Sequence, residues 1–301
     1  KTKMDWVFRK GELSRGNWDV NLNPSEGLVS GWKYTGLNVA NLSNLDSLTI
    51  APDSSERLVI PLDGGEISVT FKSLEENGSY KLRNRKSVFH GATDVLYLPI
   101  NCEISLSGTG RVAIAQAPAK NVKPVKFVDR DSFPQVIRGA GPESRQIHDF
   151  GGVDFLDADR FIVVEVIVPA GNWSGIPPHK HDTYIPNKES NLEEIYYFEL
   201  APERNSISPG IHEATGFFNG YSSDRRPYEV MTEVKSGDVV LVPNGWHGPV
   251  VAFPGYDMYF LNVMAGPDPE RAWNITDDPS QVWIRETWKD KPTDPRLPYL
   301  A

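Results

Sequence analysis

Apolar positions along the chain fall in short runs, some alternating and some continuous, with turn residues between them. That rhythm predicts strands, because strands point successive side chains to opposite faces and are closed by Gly, Asn, Asp and Pro. In the first half the pattern predicts strands at ERLVIPL, EISVTFK, SYKLRN, DVLYLPI, CEISLSG and GRVAIAQAP, with turns at LDGGE, ENGS and GTGR. In the second half it predicts strands at RFIVVEVIVP, EEIYYFEL, TGFFNGY, YEVMTEV, DVVLVP, GPVVAF and YDMYFLNVMAG. YEVMTEV alternates with period two, as a half-exposed strand does. The fold class is therefore all-β, of sandwich or barrel type.

The two halves have similar strand density and are joined by a stretch rich in Pro, Gly and charge. We expect an N-terminal lobe over residues 1–120, a linker over 121–146, a second lobe over 147–275 and a tail over 276–301. The tail is polar and Pro-rich but carries Trp283 and Trp288, so it should pack over a lobe or a neighbouring subunit. Each half holds a strand-then-proline element, DVLYLPINCE and DVVLVPNGWH. This weak repeat predicts a duplicated barrel in which only the second copy keeps its chemistry.

Composition narrows the function classes. Aromatic residues reach 11% of the 301 residues, which argues against disorder although the apolar share is only 39%. The 24 Pro and 25 Gly leave little room for long helices. Net charge is −9 with both signs interleaved and no basic stripe, which excludes nucleic acid as a partner. An anionic substrate would need a local cluster of Arg or Lys. Cys102 is the only cysteine, so no intrachain disulfide can form, and its apolar run predicts a buried, inert thiol. No stretch has the roughly 18 apolar residues of a membrane helix. The expected setting is cytoplasmic, with no membrane partner and no leader.

The segment IPPHKHD carries the strongest chemical signal, because His179 and His181 stand two residues apart. In a strand both imidazoles aim into the same interior. A polar insert follows, and then Glu193 and Glu194 open the strand EEIYYFEL, from which one carboxylate can enter the same space. His247 closes the element GDVVLVPNGWH. Three imidazoles and a carboxylate suit one divalent ion such as Zn, Mn, Fe, Ni or Co.

These segments resemble the two cupin motifs, H-x-H followed by Glu and then G-D-x-x-x-x-P-x-G with a His. Two departures stand out: the gap after His181 is long, and only Trp246 separates Gly245 from His247. The resemblance implies a bicupin of two jelly-roll barrels and favours Glu194 over Glu193 as the carboxylate ligand. GNWSGIPPHKHD, LEEIYYFEL, YSSDRRPYEVMTEV, GDVVLVPNGWH and GYDMYFLNVMAG together resemble the 5-deoxy-glucuronate isomerases of inositol catabolism, in the uronate isomerase family of the cupin superfamily. That implies metal-dependent aldose–ketose isomerisation of 5-deoxy-D-glucuronate to 2-deoxy-5-keto-D-gluconate. Moving a carbonyl from C1 to C2 requires proton removal beside it, and metal chelation of both oxygens makes that possible. A hydride shift would use the same chelation.

Tyr196 should share the face of Glu194, and Tyr259 lies on a later strand; both are candidate proton-transfer groups. Tyr259 and Asn262 have opposite parity, so a regular strand admits only one of them. Arg225, Arg226 and Arg145 are candidates for the substrate carboxylate, with Arg138 beside them, because a guanidinium fork matches a carboxylate. Lys180 should face away from the His pair, and His90, His148 and His212 are read as structural. The alternatives are a 4-deoxy-uronate ketol-isomerase of pectin breakdown, a cupin dioxygenase, or a non-catalytic sugar-binding cupin. A small-molecule uronate and further copies of the same chain, in a homo-oligomer, are the expected partners.

Overall fold

A computed structural model of the chain describes residues 6–133, 135–204, 206 and 213–300. His212 lies outside the described residues. Strands dominate, and the single α-helix among the described residues is the short Ile284–Thr287. None of the described helices is long and apolar enough to cross a membrane.

The first lobe is an antiparallel sheet of eight strands ordered Val20–Leu22, Gly36–Asn41, Glu103–Pro118, Ser55–Lys72, Val95–Leu98 and Lys126–Val128. Leu48–Ile50 and Asn77–Leu82 pair onto its two long strands. The pattern predicts turns at LDGGE and GTGR, yet both long strands run straight through these segments. The chain bends there instead of reversing, with register shifts between Pro61 and Asp63 and between Gly64 and Ile67. Glycine permits this bulge. Gly64 and Gly108 have φ of +95° and +143°, and a Cβ on Gly108 would stand 2.3 Å from the Glu66 carbonyl oxygen.

The second lobe packs two sheets face to face. One holds Val7–Phe8, Val239–Val242, Glu193–Pro202, Tyr256–Ala265, Ile162–Val168, Arg145–Asp149 and Gln135–Arg138 in that order. The other holds Val230–Lys235, Thr215–Tyr221, Trp246–Ala252, His179–Lys180 and Thr276–Asp277, with Trp173–Ser174 also on Trp246–Ala252. Val7–Phe8, from the chain's start, edges this lobe and not the first. The segment expected to be linker contains Lys126–Val128 and Gln135–Arg138, one strand for each lobe.

Strand alternation separates three cores. Val164, Val166, Tyr196, Phe198, Phe218, Val250 and Phe260 fill the second barrel. Val163, Ile195, Tyr197, Tyr259 and Leu261, on the opposite face of the same sheet, pack against Leu58, Ile60, Tyr97 and Ala113 of the first lobe. Ile67, Val69, Phe71, Leu96, Cys102, Ile104 and Ile114 fill the first barrel. Buried polar clamps join the lobes: Arg85 donates to both oxygens of Glu165 at 2.6 and 2.9 Å, and Glu56 accepts the backbone N–H groups of Asp159, Arg160 and Phe161. The tail folds back on the second lobe. Arg285 forks onto Asp277, the Tyr299 hydroxyl donates to Asp257, and the Tyr299 N–H donates to Gln146.

Candidate metal centre

His179 and His181 leave one face of the chain while Lys180 and Asp182 leave the other. Lys180 donates to Asp182 and Glu189 at 2.9 and 2.7 Å and lies 5.7 Å from the centre of a Trp246 ring. It faces away from the imidazoles as expected, but into a half-buried ion-pair network and not into bulk water. The long gap after His181 is a hairpin, Asp182–Ile185 against Glu189–Asn191. It returns the chain so that the Leu192 carbonyl accepts a hydrogen bond from His181 Nδ1 at 3.1 Å. That fixes the tautomer and turns Nε2 inward.

His247 stands opposite His179 in the ladder between their strands. Gly245, with φ of +93°, makes the turn before it and donates its N–H to Asp182. The potential ligand atoms of His179, His181 and His247 all lie within 4.8 Å of one another. From the facing sheet, Glu194 places Oε1 at 2.9 Å from His181 Nε2 and 3.2 Å from His247 Nε2. Glu193 points the other way, as strand parity requires, and accepts the N–H groups of Lys33, Tyr34 and Thr35 and the Thr35 hydroxyl. It ties the second lobe to the first, and burial outweighs those bonds to push its carboxyl up to about 7.

The electrostatics suit a cation. Burial opposes a charge on Glu194, but the hydrogen bond from His181 and the nearby His247 imidazole outweigh it and hold the carboxyl at about 2. Burial first, then the neighbouring imidazoles, push His179 well below its ordinary value. Burial also lowers His247 despite Glu194, whereas at His181 the Glu194 hydrogen bond overcomes burial and raises it. The fit to a metal rests on His247. Both its ring nitrogens are buried without an aligned hydrogen-bond partner, although Glu194 is near. Buried imidazole nitrogens left in that state are costly unless something binds them. These three His residues could therefore hold a metal ion.

Of the other candidates, Tyr196 lies in this barrel, its ring 6.0 Å from that of His247 and 5.1 Å from those of Phe218 and Phe260. Burial, and then the Glu194 charge, push its hydroxyl well above the ordinary tyrosine range. Tyr259 does not join the site. Tyr196 faces Asn262 across the ladder, so Asn262 is the inward residue and Tyr259 points between the lobes. There its hydroxyl donates to Glu165 at 2.7 Å, beside Arg85 and His148. Arg225 and Arg226 do not join the cluster: both stand exposed on the loop before Tyr228, and neither contacts it among the described residues. That loop is secured from behind, where Ser223 donates to Asp182 and Asn244 donates to the Arg226 carbonyl. Arg145 is buried, and its Nη2 donates to the carbonyl of Ile176, three residues before His179. Sequence parity singles out Asn262 without choosing it; Arg285, which clasps the strand beside His179, carries no signal at all.

Residues 6–284 match the KduI/IolB family. The 5-deoxy-glucuronate isomerase of Geobacillus kaustophilus is 36% identical over 261 residues, covering 85% of this chain and 88% of that protein. Its namesake from Bacillus velezensis is 34% identical over 289 residues, covering 94% and 100%. Among solved structures, an IolB-like protein of Salmonella typhimurium superposes with a TM-score of 0.79 at 30% identity, over 93% of this chain and 98% of that one. An oxalate decarboxylase of Lactobacillus farciminis reaches a TM-score of 0.52 at 10% identity over 93% and 98%, a likeness of fold alone. The all-β, two-lobed cupin architecture expected from the sequence is thus borne out.

Proposed function

The chain belongs to the KduI/IolB family, and from that premise we propose that it isomerises 5-deoxy-D-glucuronate to 2-deoxy-5-keto-D-gluconate, an aldose–ketose step of inositol catabolism. The observation that carries this reading is the likeness to 5-deoxy-glucuronate isomerases over most of the chain, including the segments that build the His cluster. His179, His181, Glu194 and His247 would hold one divalent ion. Bound there, such an ion would polarise the two substrate oxygens between which the carbonyl moves.

The chain's own groups supply the rest. The Leu192 carbonyl fixes the His181 ring through Nδ1 and leaves Nε2 facing Glu194 and the other imidazoles, so the site is built before substrate arrives. Phe198, Phe218 and Phe260 wall the inner side and exclude water, which strengthens every charge interaction within. The Tyr196 hydroxyl keeps its proton at neutral pH, and we assign to it the donation of a hydrogen bond to a substrate oxygen as charge develops there. The first lobe serves as a scaffold, packed on the outer face of the sheet that carries Glu194.

The test tracks conversion of 5-deoxy-D-glucuronate by proton NMR before chelation, after chelation and after restoring a divalent metal. Turnover should vanish with the metal and return with it. Turnover that persists in fully metal-free protein, or no conversion by the metal-loaded chain, would overturn the reading.

A further inference from the structure

Three arginines are buried among the described residues, and two of them are clamped by carboxylates. Arg57 forks onto Asp53 at 2.9 and 2.8 Å, and Arg85 onto Glu165 at 2.6 and 2.9 Å. Arg145 is different. Its Nη1 donates to the Glu143 carbonyl at 3.0 Å and its Nη2 to the Ile176 carbonyl at 3.3 Å, and among the described residues it forms no ion pair. The Glu143 carboxylate is engaged elsewhere, accepting from Trp288 Nε1 at 3.2 Å and lying 3.7 Å from Lys291. A buried guanidinium with only carbonyl partners is an incomplete arrangement, because desolvation of the charge is uncompensated.

The surroundings add positive charge. Arg138 is the cross-strand neighbour of Arg145 at the rim of the same sheet. Arg145 and Arg285 both lie over the Trp288 ring, at 5.6 and 5.7 Å from ring centres. Arg285 is neutralised by Asp277, whereas Arg138 forms no ion pair among the described residues. Burial, then Arg138 and Arg285, bring the Arg145 guanidinium down to about 10, still charged at neutral pH.

This cationic group also belongs to the metal side of the barrel. Arg145 holds the carbonyl of Ile176 in the Ile-Pro-Pro segment that leads into His179. Arg285 grips Asp277, which pairs directly with His179. The Arg145 charge reaches the Tyr196 hydroxyl inside the barrel. A sugar acid held by its C1 and C2 oxygens at the His cluster must carry its carboxylate at the far end of the chain, away from the aromatic floor. Arg145 is the buried, unneutralised fork available to that end.

We infer that Arg145, supported by Arg138, binds the carboxylate of the sugar acid and makes the site selective for uronates over neutral aldoses. This rests on the isomerase reading and adds the group that recognises the substrate's charge. A guanidinium fork is suited to both oxygens, and a charge-assisted pair in a desolvated site discriminates strongly against an uncharged end.

The experiment uses the metal-loaded chain, with Arg145→Met, which keeps the length and removes the charge, and Arg145→Lys, which keeps the charge and removes the fork. Turnover is measured on 5-deoxy-D-glucuronate and on its neutral counterpart 5-deoxy-D-glucose. Calorimetry then compares binding of D-gluconate with that of D-glucitol. Arg145→Met should lower kcat/KM on the uronate by on the order of a hundredfold, mostly through KM, and leave the neutral sugar within about threefold. It should weaken gluconate but not glucitol, with metal content unchanged, and Arg145→Lys should fall between. Equal losses on charged and neutral sugars, or gluconate binding as tight in Arg145→Met as in wild type, would overturn the inference. Arg145-dependent gluconate binding in a wild type that turns over no uronate would sink the isomerase reading and leave the anchor supported.

Discussion

The two lobes share one sequence element and diverge at its end. DVLYLPINCE and DVVLVPNGWH each begin with a buried aspartate that accepts backbone N–H groups. Asp94 takes those of Arg83 and Arg130, and Asp238 those of Lys10 and Lys235. Each continues as a buried strand, Val95–Leu98 or Val239–Val242, and then meets a proline. Aligned this way, Glu103 occupies in the first lobe the slot that His247 occupies in the second. Glu103 is exposed, and the core of its barrel is a cluster of apolar side chains with no imidazole among them. His247 is buried with bare ring nitrogens. A barrel filled with Leu, Ile, Val and Phe is self-sufficient, whereas one lined with imidazoles is complete only with something bound. The first lobe has become packing, and the second keeps the incompleteness that chemistry needs.

The largest expected effect severs the lobes from each other. Glu165→Ala leaves Arg85 charged and buried and removes the acceptor for Tyr259 and His148. Chemical denaturation should report a loss of about 3–5 kcal/mol. A loss under about 1 kcal/mol would show that the shared core does not depend on this clamp. His247→Ala comes next: kcat/KM should fall by about a hundredfold or more, roughly 2.7 kcal/mol of transition-state stabilisation. Its thermal unfolding should stay close to that of metal-free wild type, which separates the chemical role from a structural one.

Acid should sharpen the contrast further. Burial opposes the Glu165 charge, but Arg85 and His148 outweigh it and hold the carboxyl at about 2 against an ordinary 4.5. A depressed carboxyl stabilises the fold above its unfolded value, and that stability is lost as pH falls from about 4.5 towards 2. Denaturant midpoints over this range should decline in wild type and decline less in Glu165→Gln. The smallest expected effect is the mirror of the His247 change. Glu103→Ala, in the corresponding slot of the first lobe, should leave kcat/KM within about twofold; a large loss there would break the comparison.

How much is legible in the sequence depends on the range of the interaction. His179 and His181 can be paired from spacing alone, and Glu194 and His247 from short motifs, because strand parity is local. Tyr259 is misplaced by such reasoning because its face depends on register against a partner strand: Asn262, not Tyr259, stands opposite Tyr196. The LDGGE and GTGR segments carry turn composition, yet glycine serves a bulge as readily as a reversal, and only pairing between distant strands decides. Arg225 and Arg226 sit in a distinctive segment but on an exposed loop. Arg138 and Arg145 meet Arg285 from more than a hundred residues away in sequence, through the fold-back of the tail.

That one barrel of the two binds metal, and the other does not, is tested most directly by metal content per folded chain. Protein never exposed to chelator should carry one divalent ion per chain in wild type and in Glu103→Ala, and none in His247→Ala. Folded wild type without metal, or a full complement retained by His247→Ala, would contradict it.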